Sequence, residues 1–263
     1  MSKLLSALKC PCEGKYFSNW FTYDTPPCGE VTFGFSEGQS YERKIYQCTV
    51  CKHFLSIHGM DTTDLYTDDY VSSNYEDLDG LRRSFERVIG LEPSLSDNEG
   101  RILRVSKFGE ENLADRSNPP TILDVGSGLC VFLHGMKKIG WNCTALDPDM
   151  RSIVHARDFV GVRAIHGDFM EAEDLGSYDA VTFNKVLEHV DDPILMLEKA
   201  RGLLDEGGFV YFEVPDGEAA GEVSPLREEF FIDHPHIFSA ASLTLMSSRS
   251  GFKLSKFERL KEP

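Results

Sequence analysis

Residues 121–136, TILDVGSGLCVFLHGM, run from an apolar, strand-like stretch through two glycines into an amphipathic, helix-like stretch. That order restricts the chain severely. A short apolar run closed by a glycine turn reads as a buried strand, and an apolar period of 3.6 residues reads as helix. Gly126 and Gly128 let the backbone turn sharply and approach a ligand closely. The alternation continues downstream. Strands are predicted over 121–126, 141–149, 163–169, 178–184 and 207–216, and helices over 129–140, 192–204 and 239–252. KLSKFERL, 253–260, is predicted as a sixth strand. Such alternation predicts an α/β fold, a doubly wound and mostly parallel sheet with helices on both faces.

The chain ahead of this region differs. Residues 1–75 carry five of the seven cysteines and short strand-like pieces, EVTFGF (30–35) and RKIYQC (43–48). Residues 76–119 read as a polar helical connector: LRRSFERVIG (81–90) places Leu81, Phe85, Val88 and Ile89 on one face, and a second helix runs through 100–108. Prolines 119 and 120 end it, because proline disfavours helix at itself and just before. The expected division is a metal-binding domain at 1–75, the connector at 76–119 and the α/β core at 120–263.

Charge narrows the partners. Twenty-seven Lys and Arg against 43 Asp and Glu give a net charge of −16, which repels phosphate backbones and anionic membrane surfaces. No nucleic acid and no membrane insertion are expected. The stretch MSKLLSALKC is too short and interrupted for a signal peptide, no run of about 18 uncharged apolar residues is present, and a cytoplasmic location is expected. There cysteines stay reduced or bind metal.

In a doubly wound sheet ligands bind at the carboxyl ends of the strands, where strand order reverses. The Gly126-Ser127-Gly128 turn falls there and is a candidate cofactor loop. The phosphate loop G-x-x-x-x-G-K-[ST] is absent, and the dinucleotide pattern G-x-G-x-x-G fails at Val131. Asp147 closes the second strand, where an acid accepts hydrogen bonds from ribose hydroxyls. Asp168 and Phe169 follow the third strand, a carboxylate beside an apolar ring suited to an adenine amino group. Taken singly these acids are ordinary turn residues; taken in order at successive strand ends they describe an adenosine-bearing ligand.

The series ILDVGSG (122–128), ALDPD (145–149), HGDF (166–169), NKVLEHVDDP (184–193) and LLDEGGFVYFEVPD (203–216) resembles the class I S-adenosylmethionine-dependent methyltransferases, whose core is Rossmann-like. HIFSAASL…GF (236–252) extends the match. The resemblance implies that Asp124, Gly126, Ser127 and Gly128 line the methionine part of S-adenosyl-L-methionine. Asp147 and Pro148 then serve the ribose, Asp168 and Phe169 the adenine, and Asn184 and Leu187 the sulfonium. Glu188 and His189 stand behind them, as catalytic candidates or as a helix-start pair packed on the sheet. Cys130 replaces the family's third loop glycine. The family sheet also ends in a hairpin, so a further strand is expected after 253–260; either that last strand is missing here and the sixth pairs differently, or the chain is shortened.

Cys48-x-x-Cys51 has the spacing of a zinc knuckle, in which two thiolates point at one tetrahedral Zn²⁺. Cys10-Pro-Cys12 is one residue short of that spacing, and Cys28-Gly29 looks like the back half of a knuckle. The structural zinc ligands are therefore expected to be Cys48, Cys51 and two of Cys10, Cys12 and Cys28, with His53 and His58 as substitutes; an inert or degenerate site and a thiol-exchange pair are the rival readings. Residues 46–75, with their DLY-x-x-DY-x-x-x-Y run, resemble the zinc-binding front end of the sugar C-methyltransferase group. That resemblance implies a small-molecule acceptor such as a nucleotide-linked sugar or a surface-polysaccharide unit.

The charged and aromatic stretch 216–239 follows the fifth strand, where loops carry specificity. A base near the acceptor is expected from its histidines, which titrate near neutrality. In the sugar C-methyltransferase group a histidine preceded by glutamate lies here; the match falls on Pro235-His236, with Asp233 or Glu229 as substitutes for the missing acid. His236 is the first candidate base and His234 the second. Tyr66, Tyr70 and Tyr75 are either acceptor wall or packing between domains. The alternatives to methyl transfer are an NAD-dependent oxidoreductase and a catalytically inactive cofactor-binding protein.

Overall fold

The computed structural model describes residues 8–30, 40–60, 78–113 and 118–261. EVTFGF beyond Glu30, and Tyr66, Tyr70 and Tyr75, lie outside the described residues. In chain order the elements are β1 (Phe17–Tyr23), β2 (Arg43–Cys48), β3 (Phe54–His58), α1 (Leu78–Ile89), α2 (Asp97–Asn112), β4 (Thr121–Val125), α3 (Val131–Lys138), β5 (Asn142–Asp147), α4 (Met150–His155) and β6 (Arg163–His166). Then follow β7 (Tyr178–Asn184), α5 (Pro193–Gly202), β8 (Leu204–Glu213), α6 (Gly217–Val223), β9 (His236–Ile237) and α7 (Ala240–Arg249). They fall into two compact units, one of Met1–Ser73, Lys185–Glu198 and Val214–Arg259, the other of Asn74–Asn184, Lys199–Glu213 and Leu260–Pro263. Residues 185–198 and 214–259, read from sequence with the α/β core, group with the amino-terminal segment.

The second of these units holds a five-stranded sheet in the order β6-β5-β4-β7-β8. Every neighbouring pair in it is parallel. The chain steps outward from β4 to β5 and β6, then crosses to the other side of β4 for β7 and β8. Strand order therefore reverses at β4, and the glycine turn lies at that reversal. Parallel strands are covered on both faces, so they read as nearly continuous apolar runs. Ile122, Ala145 and Ala180 of three adjacent strands are fully buried against Leu133 and Met136 of α3, with Phe85 of α1 and Val105 of α2 in the same core. Arg101 and Arg104 of α2 both bind Glu213 at the carboxyl end of β8, at 2.6 and 2.7 Å.

The sixth predicted strand is not formed: residues 253–260 are irregular and exposed. Leu254, Phe257 and Leu260 recur every third residue, so a strand would put Phe257 on one face and the two leucines on the other. Neither face would then be consistently apolar. Helix 192–204 ends earlier than expected, at Gly202, and β8 starts at once, with a register shift against β7 between Tyr178 and Ala180.

The other unit is built on an antiparallel sheet, β1-β2-β3-β9. Its last strand comes from far along the chain: Phe54 pairs with Ile237 and Leu55 with His236. Tyr23, Ile45, Phe54, Phe230, Ile232 and Ile237 form its core. Arg43 and Glu30 make a fully buried ion pair at 2.7 Å. Glu30 also accepts from Tyr41 Oη at 2.6 Å and from the Ile232 backbone N–H at 2.7 Å. Each oxygen of the buried carboxylate is thus satisfied, the condition under which such a pair is tolerated.

Candidate functional site

In the parallel-sheet unit, Gly126 and Ser127 donate their backbone N–H groups to the Leu146 carbonyl, at 2.8 and 3.3 Å, drawing the loop against β5. Gly126 and Gly128 take φ of +69° and +48°, the left-handed region that glycine enters without strain. The Gly128 N–H then donates to Asp147 Oδ2 at 2.8 Å, while the Asp149 N–H donates to Oδ1 at 2.9 Å. Burial raises the Asp147 carboxyl above its ordinary range, and these two N–H groups oppose the shift. A carboxylate offers about four acceptor positions, so after two backbone bonds it can still receive the two hydroxyls of a ribose. A Cβ built on Gly128 meets nothing within 4 Å; the loop has open space in front of it.

Asp124 and Asn184 come together behind the loop. Asp124 Oδ1 accepts from Thr182 Oγ1 at 2.7 Å and from Asn184 Nδ2 at 2.8 Å. Full burial pushes the Asp124 carboxyl up to about 7, with the two donors pulling the other way. Two buried acceptors here have no partner in the protein, Ser127 Oγ and Asn184 Oδ1. Unsatisfied buried polar atoms are uncommon and need an explanation; a ligand with donors of its own supplies one. Thr182 was not anticipated from the sequence. The signal was its place two residues before Asn184, on the same strand face, in register with Asp124.

The remaining members of the predicted set divide. Asp168 is exposed and accepts from the Met170 N–H at 2.6 Å. Phe169 is buried, edge-on to Phe183 at 5.7 Å, a core contact. Pro148 is exposed, and its carbonyl meets His166 Nε2 at 2.9 Å. Leu187 is fully buried in the other unit.

In the antiparallel-sheet unit four sulfurs gather. The donor atoms of Cys10, Cys12, Cys48 and Cys51 lie within 4.8 Å of one another. Three of the contacts are 3.2–3.5 Å. Four thiolates about 2.3 Å from one Zn²⁺ stand roughly 3.8 Å apart, so the cluster has the size and the donor chemistry of a closed tetrahedral site. Cys28 is exposed and outside it. The short Cys10-Pro-Cys12 spacing is made workable by Gly14. Its N–H donates to Cys12 Sγ at 3.3 Å, and a Cβ there would stand 2.8 Å from Cys12 Sγ and 3.2 Å from Cys48 Sγ. Only glycine passes so close to the sulfurs.

The histidines sort differently from their predicted ranking. His236 is fully buried on β9. Its Nε2 lies 3.0 Å from the Asp191 carbonyl, which can only accept, and its Nδ1 lies 2.9 Å from His53 Nε2. His236 Nε2 therefore carries the proton, and Nδ1 accepts from His53. Both nitrogens are spent on the protein, and burial lowers the affinity of each ring for a second proton. Each ring nitrogen of His236 thus has a partner in the protein, and His53 is committed to the same contact. Glu188, His189 and His234, in contrast, bring donor atoms within 4.8 Å of one another. Burial pushes the Glu188 carboxyl up to about 7.

A parallel 3-2-1-4-5 sheet with a glycine turn at its switch point is the fold of the class I methyltransferases. The chain belongs to the methyltransferase domain family, whose model matches residues 97–256, more than half of its length. It is 26% identical over 163 residues to the ubiquinone biosynthesis O-methyltransferase of Escherichia coli O157:H7, covering 59% of this chain and 62% of that protein. The enzyme of the same name from Xanthomonas campestris is 32% identical over 97 residues, 34% of this chain and 41% of the relative. The chain thus spans less than two thirds of the length of these relatives. Among solved structures, the plantazolicin methyltransferase BpumL in complex with SAH matches with a TM-score of 0.52 and 15% identity, over 71% of this chain and 72% of that one. The likeness extends to the fold. No helix among the described residues is long and apolar enough to cross a membrane.

Proposed function

We propose that this chain transfers a methyl group from S-adenosyl-L-methionine to a small-molecule acceptor. The single observation that carries the reading is the Gly128–Asp147 bond: it presents a half-satisfied carboxylate and an open, Cβ-free loop at the switch point of the sheet. Bound there, the cofactor supplies an electrophilic methyl on a sulfonium. Asp147 would accept from the ribose hydroxyls. Ser127 Oγ and Asn184, each with an unpartnered atom, would meet the methionine part, and Asp124 would face its positive charge. Transfer of this kind needs positioning above all, and a base only when the acceptor must lose a proton.

Cys10, Cys12, Cys48 and Cys51 would hold a structural Zn²⁺, stiffening a sheet with a small core. A sugar or surface-polysaccharide precursor as acceptor is supported by the likeness of residues 46–75 to the front end of sugar C-methyltransferases; the curated relatives act in ubiquinone biosynthesis by name, and one core hosts many acceptors.

The test is calorimetric titration of the purified protein with S-adenosyl-L-methionine and, separately, with NAD, beside an Asp147→Ala control. Binding of the first alone, lost in the control, is the expected result. Binding of NAD alone, or of neither, overturns the reading.

A further inference from the structure

Glu188, His189 and His234 form a group that general-base chemistry alone does not account for. His189 Nδ1 lies 2.9 Å from the Asp233 carbonyl and His234 Nδ1 lies 3.0 Å from the Glu229 carbonyl. A carbonyl oxygen only accepts, so both rings carry their proton on Nδ1. In the neutral tautomer the lone pair is then on Nε2. Two imidazoles whose Nδ1–H groups are both tied to backbone carbonyls match the outer-shell arrangement that orients metal-binding histidines. The rings stand 4.6 Å apart at 66°, inclined to each other rather than stacked.

The carboxylate supplies the second, independent observation. Glu188 is 1% exposed, and its Oε2 is buried with no hydrogen-bond partner. A carboxylate oxygen left bare in a dry site is costly, and a cation satisfies it. One donor atom from each of the three residues lies within 4.8 Å of the others. A further carboxylate borders the group: Asp233 Oδ2 is 3.7 Å from His189 Nδ1 and 3.9 Å from His234 Nε2. All four residues belong to one compact unit.

We infer that Glu188, His189 and His234 bind a divalent first-row transition-metal ion, at a site separate from the four-cysteine cluster. Two imidazoles and a carboxylate suit manganese, iron, cobalt, nickel or zinc; calcium and magnesium prefer all-oxygen cages. Three protein ligands leave coordination positions open, as in sites that bind small molecules and unlike the closed thiolate site. The inference goes beyond the proposed function, and its chemistry is independent of which cofactor the glycine loop takes.

The test is titration of the full-length protein with Co²⁺, read by calorimetry and absorption together. Cobalt on cysteines gives an intense near-ultraviolet thiolate-to-metal band; cobalt on nitrogen and oxygen gives only weak visible bands. Two ions per chain are expected, the second adding no thiolate band. Glu188→Gln and His234→Ala should each weaken the second ion at least about tenfold and leave the thiolate band intact, which also reports that the cysteine unit is folded. A single ion per chain in the unmutated protein overturns the inference without any variant, as does a second ion that both variants retain. S-adenosyl-L-methionine titrated into the same samples separates the two readings. Cofactor binding without a second ion sinks only the metal site, and a second ion without cofactor binding sinks only the methyltransferase reading.

Discussion

The Gly128 backbone N–H donates to Asp147 Oδ2 at 2.8 Å, tying the turn after β4 to the end of β5. The bond orients the carboxylate before any ligand arrives. Asp147→Ala should therefore lose about 10- to 100-fold in affinity for S-adenosyl-L-methionine, the worth of about 1.5–3 kcal/mol for charged hydrogen bonds. Calorimetry checks it. Gly128→Ala should behave differently. Its Cβ meets nothing within 4 Å, but φ of +48° strains an L-residue by roughly 1–2 kcal/mol, so urea unfolding should register that cost in the protein without ligand.

Asp124 sets a pH dependence. Its carboxyl is raised by burial to about 7, above the ordinary value of 3.8. The folded state thus holds a proton that the unfolded state releases from about pH 4 upward. Stability contributed by this group is present at low pH and falls as pH rises toward 7, then levels off. Cofactor affinity should run the opposite way, rising through pH 7 as the carboxylate forms opposite a cation. Unfolding and binding measured between about pH 5 and about pH 8 should show both slopes, and Asp124→Asn should flatten both. Parallel slopes in the variant and the unmutated protein would rule the assignment out.

The thiolate cluster predicts metal-dependent stability. Chelation should lower the melting temperature, and Cys48→Ser should do so without chelator. Gly14→Ala is the sharper test, since its methyl would sit 2.8 Å from Cys12 Sγ. Elemental analysis should find its zinc content reduced, although no ligand has been removed. A full zinc complement in that variant would contradict the close approach.

His236 offers a contrast between a structural and a chemical role. Removing its ring leaves His53 Nε2 and the Asp191 carbonyl without their partner. His236→Ala should destabilise the protein by at least about 1–3 kcal/mol, seen in urea unfolding. Affinity for S-adenosyl-L-methionine should stay unchanged. A variant of normal stability that binds cofactor but transfers no methyl would restore His236 as the base.

Much of the parallel sheet was legible because each of its strands carries its own signal. Residues 178–184 were predicted as strand with the observed bounds, since a strand buried on both faces is rich in apolar residues, here Tyr178, Ala180, Val181 and Phe183. The places of Asp124, Asp147 and Asp168 at strand ends were legible for the same reason: those strands can be read locally. The sixth strand misled because apolar residues were present but at the wrong period. Cys28 stayed open as a third candidate because its neighbouring glycine mimics a knuckle, while its exposure is a property of the folded chain.

The histidines mark the boundary most clearly. Nothing near residue 236 announces that it pairs with Leu55 and binds His53, because that contact spans 183 residues of chain. Local pattern determined the strand–helix alternation, the glycine turn with its following acids and the cysteine pairs; these depend on period, turn chemistry and spacing within a few residues. Only tertiary structure decided which cysteines converge, that β9 completes the amino-terminal sheet, and that His236 is spent while Glu188, His189 and His234 converge. Those outcomes rest on long-range pairing and burial, which fix a side chain's solvent access and partners and are not written in the residues beside it.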